Sequence, residues 1–138
     1  PWSRREESWA RTEAMKFLDF TGLGGDAGLL AGSLPFGKQR LLEFARALAG
    51  KPRMIMLDEP AAGLNDAEVD ELKRLIFHVR DEGCTVLLIE HHMDLVMDVS
   101  DHVVVISDGR CIASGPPDDV RSDPAVIEAY LGSRAKAD

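Results

Sequence analysis

No apolar run in this chain approaches the roughly 20 residues that a helix needs to cross a bilayer, and its first residues lack the charged start and apolar core of a secretory signal. Cysteine is scarce: 138 residues hold only Cys84 and Cys111. Two thiols without metal-type spacing read as reduced, partly buried residues of a cytosolic protein, with a pairing between them left open. Positive charge is in deficit too. Sixteen Lys and Arg face 24 Asp and Glu, a formal net charge of −8, which disfavours a nucleic-acid surface. Sustained heptads, internal repeats and low-complexity tracts are also missing. The first residue is Pro1 rather than Met, so a piece of a longer protein is expected. What is present is ordinary for a globular domain with one modest core: 45% hydrophobic and 29% charged residues.

Apolar spacing sets the expected elements. Trp9, Ala10, Ala14, Phe17 and Leu18 recur at helical intervals and predict an amphipathic helix over 4–20. A glycine-rich loop follows. A second helix is expected from Phe36 to Ala49, with Leu41, Phe44, Ala45 and Leu48 on its inner face and Gly50 and Pro52 ending it. The run RMIML, 53–57, has strand length. Asn65 followed by Glu68 has the form of a capping box and opens a helix to about Arg80 that buries Val69, Leu72, Ile76 and Val79. The run CTVLLIE, 84–90, is a second nearly continuous apolar strand, expected to be buried on both faces as in parallel sheets. Strand, helix and strand form a βαβ unit. Residues 102–106 and 110–114, joined by Ser107-Asp108-Gly109, read as a hairpin. Two short helices are expected after Gly115-Pro116-Pro117, the last starting near Asp123-Pro124 and ending before Gly132.

The stretch RMIMLDEPAAGLND, 53–66, carries the chemistry. Its apolar strand ends in two adjacent carboxylates, Asp58 and Glu59. The carboxyl ends of strands are where open α/β sheets bind ligands, and charges there require a cation or hydrogen-bonding partners. Four apolar residues, Asp, then Glu is the Walker B arrangement, in which the aspartate holds Mg²⁺ directly or through water and the glutamate polarises an attacking water. The plain alternative is an acidic strand-to-helix turn. LPFGKQR, 34–40, opens the second helix, whose amino terminus can receive phosphate oxygens, with Gly37 allowing close approach; the plain alternative is an ordinary helix start. IEHHMD places His91 just after the second strand, beside Asp58 and Glu59 if the strands are neighbours. There it can bond a γ-phosphate, or be merely structural. His91 and His92 lack the spacing of a helix-borne zinc pair.

These elements, in this order, resemble the ATP-binding subunit of ABC transporters. Leu34-Pro35-Phe36-Gly37-Lys38-Gln39 stands at the signature, Met54 to Glu59 at Walker B, Ala61 to Asp66 at the D-loop and His91 at the switch histidine. LPFGKQRLLEFARALA, DEPAAGLN, IEHHMDLVM and VIEAYLG look like the branched-chain amino acid importer branch, whose extra C-terminal helix Ala125 to Leu131 would supply. The resemblance covers the whole chain but only the second half of the family domain. It implies an α/β fold: a partial P-loop NTPase-type sheet with flanking helices and a helical subdomain segment at the amino terminus. The expected boundaries are 1–52 for that segment with the signature, 53–115 for the Walker B, D-loop and switch part of the core, and 116–138 for a helical tail.

It further implies Mg²⁺ at Asp58, Glu59 as general base and His91 on the γ-phosphate and water. Leu34, Phe36, Gly37, Lys38, Gln39 and Asn65 would contact ATP, the signature covering ATP on an opposite subunit. The implied partners are a second ATP-binding subunit, as a homodimer or heterodimer, and membrane permease subunits, without nucleic acid. The implied location is cytoplasmic, peripheral to the inner membrane. Four positions depart from the usual pattern: Pro35 replaces serine, Lys38 a frequent glutamine, Asn65 an aspartate and His92 an aspartate. No G-x-x-x-x-G-K-[ST] occurs, so the loop that cradles the β- and γ-phosphates is missing. The chain alone is therefore expected to be inactive. Two rivals stand beside the importer reading. One is a non-catalytic or degenerate module that only dimerises or binds a partner. The other is a DNA-repair or chromosome-maintenance ATPase, disfavoured by acidity and by the lack of heptads.

Overall fold

The computed structural model describes residues 3–134, and these fall in two compact units divided between Glu90 and His91. The first unit opens with α1, Arg4–Phe20, capped reciprocally by Ser3 and Glu6. Two short 3-10 turns follow, at Gly24–Asp26 and Ala31–Ser33. Helix α2 spans Phe36–Ala49, strand β1 Met54–Asp58, helix α3 Asp66–Asp81 and strand β2 Thr85–Ile89. Asn65 and Glu68 cap α3 in the expected box.

Strands β1 and β2 pair in parallel, in the register Met54↔Thr85 through Asp58↔Ile89. This βαβ unit carries the core of the first unit. Phe44 and Leu48 of α2, Ile55 of β1, and Leu75 and Val79 of α3 form one buried cluster, with Leu57 and Val86 packed against it. Helix α3 buries Val69, Leu72, Leu75, Ile76 and Val79, four of which follow from the periodicity.

The expectation that both faces of these strands are buried is corrected. Side chains alternate along a strand, and here the two sets have different fates. Ile55 is 4% exposed, whereas Met54 is 53% and Met56 69% exposed, and Leu87 and Ile89 are exposed beside them. One face lies on α2 and α3, and the other is bare. Helix α1 also departs from its pattern: none of its residues is buried and Trp9 is exposed. Its carboxyl-terminal end packs on the core through Phe17 and Phe20.

The second unit contains α4, Met93–Val99, then β3, Val103–Ser107, and β4, Arg110–Gly115, then α5, Pro117–Arg121, and α6, Pro124–Arg134. β3 and β4 form the expected antiparallel hairpin, with an irregularity between Val105 and Ile106. Its turn has φ of +49° at Asp108 and +74° at Gly109, the two-residue pattern that matches strand twist. Helix α4 is not in the sequence reading. Helix α6 continues past Gly132, where its end was expected, to Arg134. Met97, Val103, Val120 and Val126 form the core of this unit. Both thiols are free, Cys84 half-buried and Cys111 exposed rather than partly buried. No helix among the described residues is long and apolar enough to cross a membrane.

A bare sheet face with four large apolar side chains invites self-association. Light scattering on the isolated chain is expected to show concentration-dependent oligomers, reduced by Met56→Glu. A clean monomer at all concentrations would contradict this.

Candidate functional site

The carboxyl end of β1 sets the site. Asp58 is the last residue of the strand and sits opposite Ile89. Glu59 extends the ladder by one bond: its N–H donates to the Ile89 carbonyl at 2.8 Å. Its φ is +45°, a left-handed conformation that costs a non-glycine residue about 1–3 kcal/mol and concentrates at functional positions. The chain then turns sharply. Ala62 N–H donates to the Glu59 carbonyl at 3.1 Å and Leu64 N–H to the Ala61 carbonyl at 3.1 Å, while Gly63 takes φ +76°. The Ala61 N–H donates to the Glu90 carboxylate at 2.9 Å. Asp58 and Glu59 are both solvent-exposed.

This loop ends against the start of α2. A Cβ on Gly63 would lie 2.9 Å from the Phe36 ring, and a Cβ on Gly37 would overlap the Glu68 carboxylate. Glu68 is the same residue that caps α3, accepting from the Asn65 N–H at 2.9 Å. Asn65 Oδ1 in turn accepts from the Glu68 N–H at 3.1 Å. The helix start at residues 34–39 is internally braced. Gln39 Nε2 donates to the Leu34 carbonyl at 2.8 Å, and Lys38 Nζ pairs with Asp26 at 2.7 Å. The first amides of α2, as of any helix, have no intrahelical acceptor, and Pro35 provides no side-chain cap for them. Phe36 is half-exposed, with the Arg40 guanidinium 5.1 Å from its ring centre.

An acid pair thus closes β1, and a glycine-bearing helix start lies against the loop that follows it. Residues 110–136 match the model of the branched-chain amino acid ATP-binding cassette transporter family. The chain is 51% identical over 133 residues to the high-affinity branched-chain amino acid transport ATP-binding protein BraF of Pseudomonas aeruginosa, covering 96% of this chain and 52% of BraF. It is 46% identical to the corresponding LivG protein of Escherichia coli K12, with the same coverage. Over nearly its whole length, then, the chain is similar to ATP-binding cassette proteins of the branched-chain amino acid branch. A solved structure of MJ1267 in its ADP conformation, an ATP-binding cassette of an ABC transporter, superimposes with a TM-score of 0.82 at 34% identity over 96% of this chain and 52% of that one. The α/β architecture is thus that of part of an ABC cassette. The chain spans about half the length of the curated relatives it matches.

Several expected site residues of this cassette segment lie together. Leu34, Phe36, Gly37, Lys38 and Gln39 form one turn, and Asn65 sits beside it through Glu68 and the loop from Glu59. Asp58 and Glu59 head that loop. His91 opens the second unit, directly before His92, the amino-terminal flank of α4. The residues suit Mg²⁺ and a γ-phosphate in part: two adjacent carboxylates and a helix start with free amides. The groove that Asp58 shares with Arg40 and Met56 is about 180 Å³, below the roughly 300 Å³ at which small-molecule pockets begin. Among the described residues no group of three or more His, Cys, Asp or Glu is clustered for a metal. One residue escaped the sequence reading. Glu90 precedes His91 and was assigned no role, yet its carboxylate holds the loop after Glu59. Its one legible signal is a charge at the end of an apolar strand.

Gly63→Ala is expected to destabilise the chain by about 1–2 kcal/mol, since the left-handed φ and the Phe36 ring both oppose a methyl group. Denaturant unfolding reads it out. A variant as stable as the parent would contradict this placement of the ring.

Proposed function

We propose that this chain is the Walker B, D-loop and switch part of the ATP-hydrolysing subunit of an ABC importer for branched-chain or related amino acids. The relatives' names support the solute class. The placement of Asp58 and Glu59 at the carboxyl end of β1, with Glu59 held left-handed against Ile89, supports the chemistry. In this reading 1–52 is the signature-bearing helical segment, 53–115 the catalytic core segment and 116–138 the helical tail. ATP with Mg²⁺, when bound, supplies the phosphoanhydride bond and the cation that neutralises its oxygens. Asp58 would hold that cation, directly or through water. Glu59 accepts the proton of the attacking water, and His91 hydrogen-bonds the γ-phosphate and orients the water. The turn at 34–39, with Asn65, covers the nucleotide of an opposite subunit. The partners are a second ATP-binding subunit and membrane permease subunits, which would hold the protein at the cytoplasmic face of the membrane.

For the 138-residue chain by itself, we infer a non-catalytic module. Its sequence has no phosphate-cradling glycine-lysine motif. Calorimetric titration with Mg-ATP is expected to show weak or no binding, and tight binding would refute it. In the full-length subunit, Glu59→Gln is expected to lower ATP turnover by about 10²–10⁴-fold while ATP binding persists. Unchanged turnover would refute the base assignment.

A further inference from the structure

We propose that Glu90 is a positioning residue for the hydrolytic carboxylate: it anchors the loop that carries Glu59 and delivers that loop to the start of α2. This rests on the reading of Glu59 given above. Three observations place Glu90 in that role. First, the parallel register puts Ile89 opposite Asp58, so residues 59 and 90 leave their strands side by side. Second, Glu59 is strained, with φ +45°, and is followed by Pro60, whose ring disfavours helical backbone in the residue before it. A backbone in that state persists only where its surroundings over-determine it. The Ile89 carbonyl holds the near side of Glu59, through its amide at 2.8 Å. The Glu90 carboxylate holds the far side, through the Ala61 amide at 2.9 Å. Third, the Ala61 bond is charge-assisted and half-buried, roughly twice as strong as a neutral one.

The anchored segment is short. From Ala61 it runs through a turn closed by the Leu64 N–H on the Ala61 carbonyl at 3.1 Å, and Gly63 meets the Phe36 ring. Glu90 is therefore tied to both ends of the machinery. Loosening it frees the Glu59 carboxylate and the footing of Phe36 together. Glu90 acts through the loop.

The test uses the full-length ATP-binding subunit, with Glu90→Ala, Glu90→Gln and Glu59→Gln compared. Glu90→Ala is expected to lower kcat about tenfold, with KM for ATP changed by less than about two-fold, because a misplaced base affects the chemical step rather than binding. Glu90→Gln, whose carboxamide oxygen accepts the same bond, is expected to recover most of the loss. Hydrogen exchange at the Ala61 amide is expected to rise in Glu90→Ala and to stay low in Glu90→Gln. Wild-type kcat in Glu90→Ala, an equal loss in both Glu90 variants, or unchanged Ala61 exchange would each overturn the proposal. A parent without ATPase activity, or a Glu59→Gln variant at full activity, refutes the functional reading instead. The Ala61 exchange still decides whether Glu90 holds the loop.

Discussion

The register of one parallel strand pair is the constraint on which the first unit depends. Asp58 opposite Ile89 fixes where both strands stop. It also sets which carbonyl Glu59 can reach and which carboxylate stands beside Ala61. A slip of one residue would send Ile55 to the bare face and Met56 to the core, since side chains alternate with period two. It would also carry Glu90 away from the loop. Packing and site geometry are thus set by the same hydrogen bonds. The packing face, Ile55 and Leu57 against Phe44, Leu48, Leu75 and Val79, selects the register, and the acid pair inherits it.

Carboxylates also organise the start of α2. Glu68 closes its own helix cap and lies against Gly37, so α3 and the turn at 34–39 share one charged group. Lys38 does not project a bare charge: Asp26 accepts its ammonium. The amides of the helix start add a positive dipole end to the turn, to which Pro35 contributes neither hydroxyl nor N–H.

The sequence made some of this legible and hid the rest. The start of α3 was readable because capping is local: Asn65 and Glu68 are three residues apart and satisfy each other's backbone. The β3–β4 turn was readable for the same reason, since Asp108-Gly109 tolerates two positive φ values. Strand burial was not. Met54, Met56, Leu87 and Ile89 look the same whether a neighbouring layer covers them or not, because an apolar run records the whole relatives' fold rather than the half spanned here. Helix α4 has only seven residues and no side-chain cap, too little for periodicity to register. Glu90 was invisible because its partner is a backbone amide 29 positions away, and no local pattern encodes such a bond.

The parallel pairing also governs the order in which the chain acquires its shape. β1 and β2 cannot meet through a tight turn; the whole of α3 separates them. Loop-closure entropy must be met before their contacts give any return. The left-handed backbone at Glu59 leans on Ile89 and Glu90, both beyond that helix, so it is held only where β2 lies beside β1. Asp58 and Glu59 thus take up their places only where two stretches of chain on either side of α3 have been brought together.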